Sequence, residues 1–552
     1  MPTHLVNLDA LILRQDFEAR SNQPPQPKLT GEFKIIELTP KSITFQILRK
    51  PDFQRETANW TPAKISELVQ SFLDGDLIPS IIMWRSPETG HIFVIDGAHR
   101  LSALIAWVHD DYGDGEISRS FYSNIIPPEQ IQAAEETRKL ISDAVGSYQE
   151  LLKAGQFAEN SPADSVRRAQ NMSLFPVQLQ WVHGDANMAE ASFFKINQEA
   201  TPIDSTELIM IQSRKNPNAI AARALLRAGV GHKYWSTFSD ETRSEIESIA
   251  REIYDLLFIP VLESPIKTLD LPVAGRGYSA DSVRLAFEFV NLANGLISEI
   301  KPRPKKKRKA AKADDADGRA TDKDGSKTIE FLKNVRGLAR RISGPHASSL
   351  GLHPAVYFYG ATGRYQPPAF LATARFIQEL EQRNAFNQFT SARKRFEEFL
   401  LGYRYFKNQI VGKFGSGTRS LEPLVTFYNI ILLGVVEGRT DADIIGMLRA
   451  DTKLGKTLKE TFAPDVEYGK EFSTDTKSQA FLRRALDGAV RCAICGARMH
   501  RNSISVDHID RKQDGGMGTP ENAQLAHLYC NSGYKESLHS KSNMTDDDFA
   551  DL

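Results

Sequence analysis

The apolar positions of this chain change period from one region to the next. In the first hundred residues they come as short runs. "FKIIEL", "SITFQIL", "SIIMW" and "IFVID" are β-branched or aromatic-rich and bounded by polar turns, which predicts strands. Between them, "TPAKISELVQSFLDG" puts Ile65, Leu68, Val69 and Phe72 on one helical face. Thr61 is placed to cap that helix, Pro62 suits its first turn and Gly75 ends it. From about residue 125 to 300 the pattern is mostly helical. Residues 301–327, "KPRPKKKRKAAKADDADGRATDKDGSK", are basic and then acidic with no apolar period, which predicts a solvated linker. Its "PKKKRK" has the form of a nuclear import signal, and its composition reads more simply as a tether that brushes phosphates. Beyond it, "KTIEFLKNVRGLARRI", "AFLATARFIQELEQR" and "SARKRFEEFLLGYRYF" read as helices, followed by the apolar "LEPLVTFYNIILLGV". A small module begins near Phe481. In it "SISVDHI" alternates like a strand, "DGGMGTP" is a turn-rich loop, and "ENAQLAHLYCNSGYKESL" reads as a short helical element.

Composition narrows the class. The 552 residues correspond to about three or four domains, and 41% hydrophobic with 25% charged residues is ordinary for a globular chain. A multidomain α+β fold is expected, divided at residues 1–125, 126–300, 301–328, 329–480 and 481–552. The formal net charge is zero, so a nucleic-acid surface has to be local. Three cysteines are too few, and odd in number, for a disulfide scaffold, which points to a reducing compartment. The first twenty residues mix acidic with apolar positions and do not read as a signal peptide, and "IILLGVV" is too short to span a bilayer. The expectation is a cytoplasmic protein without a membrane partner.

The cysteines carry the strongest chemical signal. Cys492 and Cys495 have the spacing of a zinc knuckle, in which two thiolates on one tight turn reach a single ion. His527 and Cys530 repeat that spacing and complete a closed Cys₃His set, expected to hold a structural Zn²⁺. His500, His508 and His539 are the rival fourth ligands. His500 would crowd the first knuckle, His539 would leave Cys530 without a close partner, and His508 has a better use.

The ordered set Cys-x-x-Cys, Asp-His-Ile, Gly-Gly, Asn-Ala-Gln-Leu, Cys-Asn and Lys, over about the last seventy residues, resembles the HNH (ββα-metal) endonucleases. Members with zinc usually have cysteine where this chain has His527. The resemblance implies DNA as substrate and a catalytic Mg²⁺ (or Mn²⁺) held by Asp507 and Asn531. His508 matches the general base, and Asn522 the asparagine that ties the loop and helps orient the histidine. Imidazole suits proton transfer near neutral pH, and oxygen donors suit Mg²⁺. Asp507 and His508 are adjacent in a strand and so face opposite ways, which requires local distortion or a metal contact from the side. Arg511, Lys512 and Lys535 are candidate phosphate contacts or plain surface charge.

At the other end, "FVIDGAHRLSAL" is a strand, a tight turn at Gly97 and a helix, a shape that can cradle phosphate. With "RKPDFQRETANW" and "FFKINQEATPIDSTEL" it resembles the DGQR branch of the ParB/sulfiredoxin-like superfamily found in GmrSD- and SspE-type restriction and phage-defence proteins, over residues 30 to 210. The resemblance implies a ParB-like α/β domain with a helical extension and a nucleoside triphosphate as ligand. Asp96, Gly97, His99 and Arg100 would lie at the nucleotide, with Gln54 and Arg55 facing them. Ala98 replaces the usual glutamine, which weakens hydrolysis more than binding. The simpler alternative is an Asp96–Arg100 ion pair at the helix start.

Three look-alikes fail. "VGKFGSGTRS" lacks the Walker spacing, "DDYGDGE" puts Tyr112 at a calcium-ligand place, and "LHPAVYFYGATGRY" reads as aromatic core. The expected whole is a gated HNH endonuclease in bacterial defence, with NTPase activity and homo-oligomerisation left open. A ParB-like DNA-binding protein with an inactive HNH end, or a mobile-element nuclease, are the alternatives.

Overall fold

The computed structural model describes residues 5–17, 29–54, 56–199, 205–263, 265–277, 280–297, 321–415, 417–459 and 470–542. The chain forms two units, one of Met1–Glu247, Tyr278–Phe287 and Lys307–Thr328, the other of Ser248–Gly277, Glu288–Lys306 and Ile329–Leu552.

In the first unit, six strands make one mixed sheet: β1 (Arg14–Gln15), β2 (Glu32–Lys34), β3 (Leu48–Pro51), β4 (Ile81–Arg85), β5 (Ile92–Asp96) and β6 (Pro176–Trp181). Their order is β1-β3-β5-β4-β6-β2, with β4 antiparallel to β5 and β2 antiparallel to β6. Side chains alternate across it. Ile81, Met83 and Val94 enter one core, while Trp84, Phe93 and Ile95 join Phe17, Phe53 and Phe193 in another. Both faces are therefore covered, which is why these strands read as continuous apolar runs. The helix Pro62–Asp74 has the expected form: the Thr61 side chain accepts from the Lys64 amide at 3.3 Å, Pro62 opens it, and Gly75 closes it at φ 86°.

Of two predicted strands one is cut short and the other is helical. "FKIIEL" keeps only its first residues in β2 and then turns into a 3₁₀ segment, Ile35–Leu38. "SITFQIL" is a helical turn, Ile43–Ile47, before β3 begins at Leu48. That turn buries none of its residues, and Ile43 is 75% exposed. Its apolar content is thus not the inner face of a sheet. The strand β6, inside a region that reads as helical, went unforeseen.

A charge cluster ties β1 and β3 together. The Asp9 carboxylate, fully buried, accepts from Arg14 Nη2 at 2.9 Å, Lys50 Nζ at 2.6 Å and Arg227 Nη2 at 3.3 Å. Burial pushes its carboxyl up, but Arg14, Lys50 and Arg227 outweigh that and hold it well below the usual carboxylate range. Burial in turn lowers Lys50 to about 8 against the pull of Asp9.

The second unit is a helical bundle. The helices Pro367–Gln382, Phe386–Gly402 and Leu421–Val436 meet through Phe376, Phe396 and Tyr428, with Phe376 and Phe396 stacked at 5.9 Å. The segment Thr418–Val436 is long and apolar enough to cross a membrane, and 56% of its apolar window is buried within the bundle. Strands β7 (Ile504–His508) and β8 (Ala523–His527) pair antiparallel, and a π-turn Cys530–Tyr534 leads into the helix Lys535–Ser542. The element expected to be helical from Glu521 onward is therefore strand first and helix second. Residues 523–527 pair one for one with 504–508, which commits their backbone to the ladder.

A buried ion pair on a bundle helix holds the segment that leads into this hairpin. Arg393 and Glu397, each 1% exposed and one turn apart on a helix, meet at 2.8 Å. Glu397 also accepts from the Tyr357 hydroxyl at 3.1 Å and the Arg498 amide at 3.0 Å. Arg393 donates to the carbonyls of Leu350, Gly351 and Arg498. Of the expected linker at 301–328, residues 301–320, the import-like run included, lie outside the described residues. Residues 321–328 are not a solvated tether, since the buried Asp322 carboxylate accepts from the amides of Gly325 and Thr328 and the helix Ser326–Ile342 has begun.

Two stability tests follow from this packing. Ile65→Ala, at a fully buried position, is expected to lower the unfolding free energy by about 2–5 kcal/mol, read from denaturant midpoints. Glu397→Ala leaves Arg393 buried without its counter-charge and is expected to cost about 3–5 kcal/mol, whereas replacing both residues by apolar ones of similar volume recovers most of that loss.

Candidate metal centre and active site

Two tight turns build the metal centre. Cys492 and Cys495 sit on a loop closed by Gly496 N to Cys492 O at 2.8 Å and Cys492 N to Ala497 O at 2.9 Å. His527 ends β8, and Cys530 begins the helical turn that follows. The four ligand atoms lie within 4.8 Å of one another. In a zinc tetrahedron, sulfur and nitrogen ligands stand about 3.5 Å apart. His527 Nδ1 lies 3.4 Å from Cys495 Sγ and 3.7 Å from Cys530 Sγ. Its other nitrogen, Nε2, faces the Arg498 carbonyl at 3.2 Å. With the proton on Nε2, the Nδ1 lone pair points at the thiolates, as a ligand requires. Donor set, spacing and tautomer all fit a tetrahedral metal ion.

The rival His500 lies elsewhere. Its Nδ1 meets Ser343 Oγ at 2.6 Å, and its Nε2 is 3.4 Å from Asp270. Gly351 has φ 57°, and a Cβ there would come within 2.9 Å of His527 Cδ2, so only glycine lets this backbone approach the metal-facing ring.

Strand β7 carries the predicted catalytic pair, with Asp507 buried and His508 half-buried at its end. Asn531, directly after Cys530, lies over the middle of that strand, its Nδ2 3.4 Å from Ser505 Oγ and from the Val506 carbonyl. Asn522 binds the intervening loop at three points: it accepts from Asp510 N at 2.7 Å and donates to Asp510 O at 3.1 Å and Met517 O at 2.7 Å. A cleft of about 290 Å³ opens just past His508, lined by Ile509, Asp510, Arg511, Asp514, Gly515 and Gly516. A Cβ on Gly516 would fall 1.9 Å from Asp510 O, so the loop can turn this tightly only with glycine there.

The candidate phosphate contacts divide. Arg511 pairs with Glu536 at 2.9 Å and Lys512 is exposed. Lys535 is buried and reaches both oxygens of Asp507, at 3.1 and 3.0 Å. Gln524 Nε2 adds a third bond to that carboxylate at 2.8 Å. The sequence pattern gives no sign of these two partners. Asp507 and Asn531 carry oxygen atoms of the kind Mg²⁺ prefers, and in the structure the Asp507 carboxylate is held by Lys535 and Gln524.

In the first unit, Gly97 turns at φ 89° between β5 and the helix Ala98–His109, as expected. Asp96 and Arg100 meet at 3.0 Å across this turn, and Arg100 also donates to Ser80 O. Gln54 donates to the carbonyls of Val94 at 3.0 Å and Ile95 at 3.1 Å, beside Asp96. The His99 ring stacks on Trp60 at 5.6 Å. Arg55 lies outside the described residues. A cleft of about 520 Å³ in this unit is lined by Arg14, Phe17, Trp84, His232 and Lys233, among others, and by none of the residues singled out for a nucleotide. Burial, with Arg14 and Arg227 nearby, pushes His232 down to about 2, so it is neutral there. In the rejected calcium-like loop, the Asp111 carboxylate accepts from the amides of Gly113, Gly115 and Ser118, which leaves it a turn former.

Comparison with known families finds a match at each end. Residues 37–212 match the family model for the GmrSD restriction endonuclease N-terminal domain, and residues 492–537 match that for HNH endonucleases. No curated protein and no solved structure matches the chain. One polypeptide thus joins a GmrSD-type N-terminal domain to a C-terminal HNH endonuclease domain.

Proposed function

We propose that this protein is a Mg²⁺-dependent DNA endonuclease of a bacterial defence system, acting in the cytoplasm, whose ParB/sulfiredoxin-like N-terminal domain reads a nucleotide or a DNA feature and gates cutting. The observation that carries the nuclease reading is the crossing of β7 with the turn at Cys530: the strand ending in Asp507–His508 lies under Asn531, one residue past a metal ligand. His508 takes a proton from the attacking water, at whichever ring nitrogen faces it. Asn522 holds the loop that follows His508, so the base stays at the strand end. Asp507 and Asn531 hold the divalent cation, which when bound neutralises charge on the phosphate and the leaving oxygen. The nucleotide reading rests on the strand–glycine–helix turn at Gly97 and on the N-terminal resemblance.

The Cys₃His centre holds zinc and is structural, because four protein ligands leave no open position. His527→Cys is expected to keep one zinc per chain, and His527→Ala to weaken or release it, measured as metal content after dialysis. Unchanged zinc in the alanine variant would put the fourth ligand elsewhere.

Plasmid cleavage with Mg²⁺, with and without each triphosphate, tests the enzyme reading. His508→Ala is expected to slow cleavage by about 10²–10⁴-fold with zinc content unchanged. Tight DNA binding without cutting under every condition would favour a DNA-binding protein with an inactive nuclease end.

A further inference from the structure

The Asp507 carboxylate is satisfied without any metal. Lys535 Nζ lies 3.1 Å from Oδ1 and 3.0 Å from Oδ2, Gln524 Nε2 lies 2.8 Å from Oδ2, and the carboxylate side chain is 6% exposed. Lys535 Nζ also donates to the His508 carbonyl, so the ammonium is saturated too. Lys535 and Asn531 are one helical turn apart. Asn531 meets β7 at Ser505 and Val506, and Lys535 meets it at Asp507 and His508. The two side chains therefore address neighbouring stretches of one strand from one helix face.

We propose that Lys535 is the resting counter-cation of the metal seat, and that DNA exchanges it for the divalent ion. This rests on the reading of Asp507 as a metal ligand. An ammonium bidentate on a carboxylate sits between its two oxygens, where a chelating cation would bind. Two cations within contact distance of each other, on a site this dehydrated, repel strongly. One has to leave. Lysine is the mobile one: its charge is a point on a four-carbon stem, and a change of rotamer moves it off the carboxylate without moving the helix. A DNA phosphate lying over Asn531 and His508 offers the ammonium a new partner of the same charge as the one it gives up. Phosphate binding then frees Asp507 for the divalent ion, and the released lysine stays beside the phosphate as a further positive charge. Without DNA the site holds the divalent ion poorly. With DNA it fills. By linkage the metal strengthens DNA binding by the same factor.

The test measures Mn²⁺ binding to the full-length, zinc-loaded chain by the electron paramagnetic resonance signal of free Mn²⁺. It compares wild type with Lys535→Gln and Lys535→Met, each with and without an uncleavable phosphorothioate duplex. Zinc content and melting temperature establish that each variant is folded, and glutamine keeps a donor for Asp507 if methionine does not fold. Without DNA, the variants are expected to bind Mn²⁺ about 10-fold more tightly than wild type. Adding the duplex is expected to raise wild-type affinity by a similar factor and that of the variants far less. Equal Mn²⁺ affinity in wild type and folded variants without DNA overturns the exchange while leaving the metal site standing. Absence of Mn²⁺ binding beyond the zinc site in every protein, with or without DNA, overturns the ligand reading of Asp507 and the exchange together.

Discussion

The C-terminal unit depends on one buried charge pair. A guanidinium and a carboxylate at 1% exposure are tolerable only when every donor and acceptor is used, and Arg393 and Glu397 come close to that. Their partners are backbone groups of two other segments, residues 350–351 and residue 498, as well as the Tyr357 hydroxyl. Arg498 is the pivot. Its amide is held by Glu397, and its carbonyl faces His527 Nε2. The bundle thereby selects which imidazole nitrogen is free to bind metal. His527, Cys530 and Asn531 lie within five residues of one another, so this choice also sets where the Asn531 amide falls over β7.

How much of this was legible in the sequence differs from element to element. The helix at Pro62–Asp74 was readable because cap, proline, apolar face and terminal glycine agree there. The Cys₃His set was readable because metal-ligand spacing is a local signal, and His527 stands at that spacing from Cys530. The strand Ala523–His527 was not: its five residues carry no clear period, and only pairing with Ile504–His508 makes them a strand. The helical turn at residues 43–47 failed for the converse reason, since its β-branched and aromatic content suggested a burial that it does not have. Long-range ionic partners were out of reach altogether. Nothing along the chain links Asp507 to Lys535, or Asp9 to Arg227, which are 218 residues apart.

The N-terminal unit shows how local shape and local chemistry separate. The turn at Gly97 has the form that phosphate sites use, and its charged residues, Asp96 and Arg100, face each other. Gln54 is tied to the carbonyls of β5. The Asp96 and Arg100 side chains, 33% and 22% exposed, are thus already paired with each other at the turn. The deeper Asp9 cluster is of the opposite kind: it is fully enclosed, and it ties β1 to β3 through Arg14 and Lys50.

Ser503 accepts from Gly344 N at 2.8 Å and lies 3.0 Å from Ser349 Oγ, and the Tyr529 amide donates to Ser349 O at 3.1 Å. The stretch that matches the HNH family model, residues 492–537, is therefore narrower than the set of residues that holds it in place: a fragment cut at those bounds leaves the Ser503 and Tyr529 contacts to residues 344 and 349 unmade.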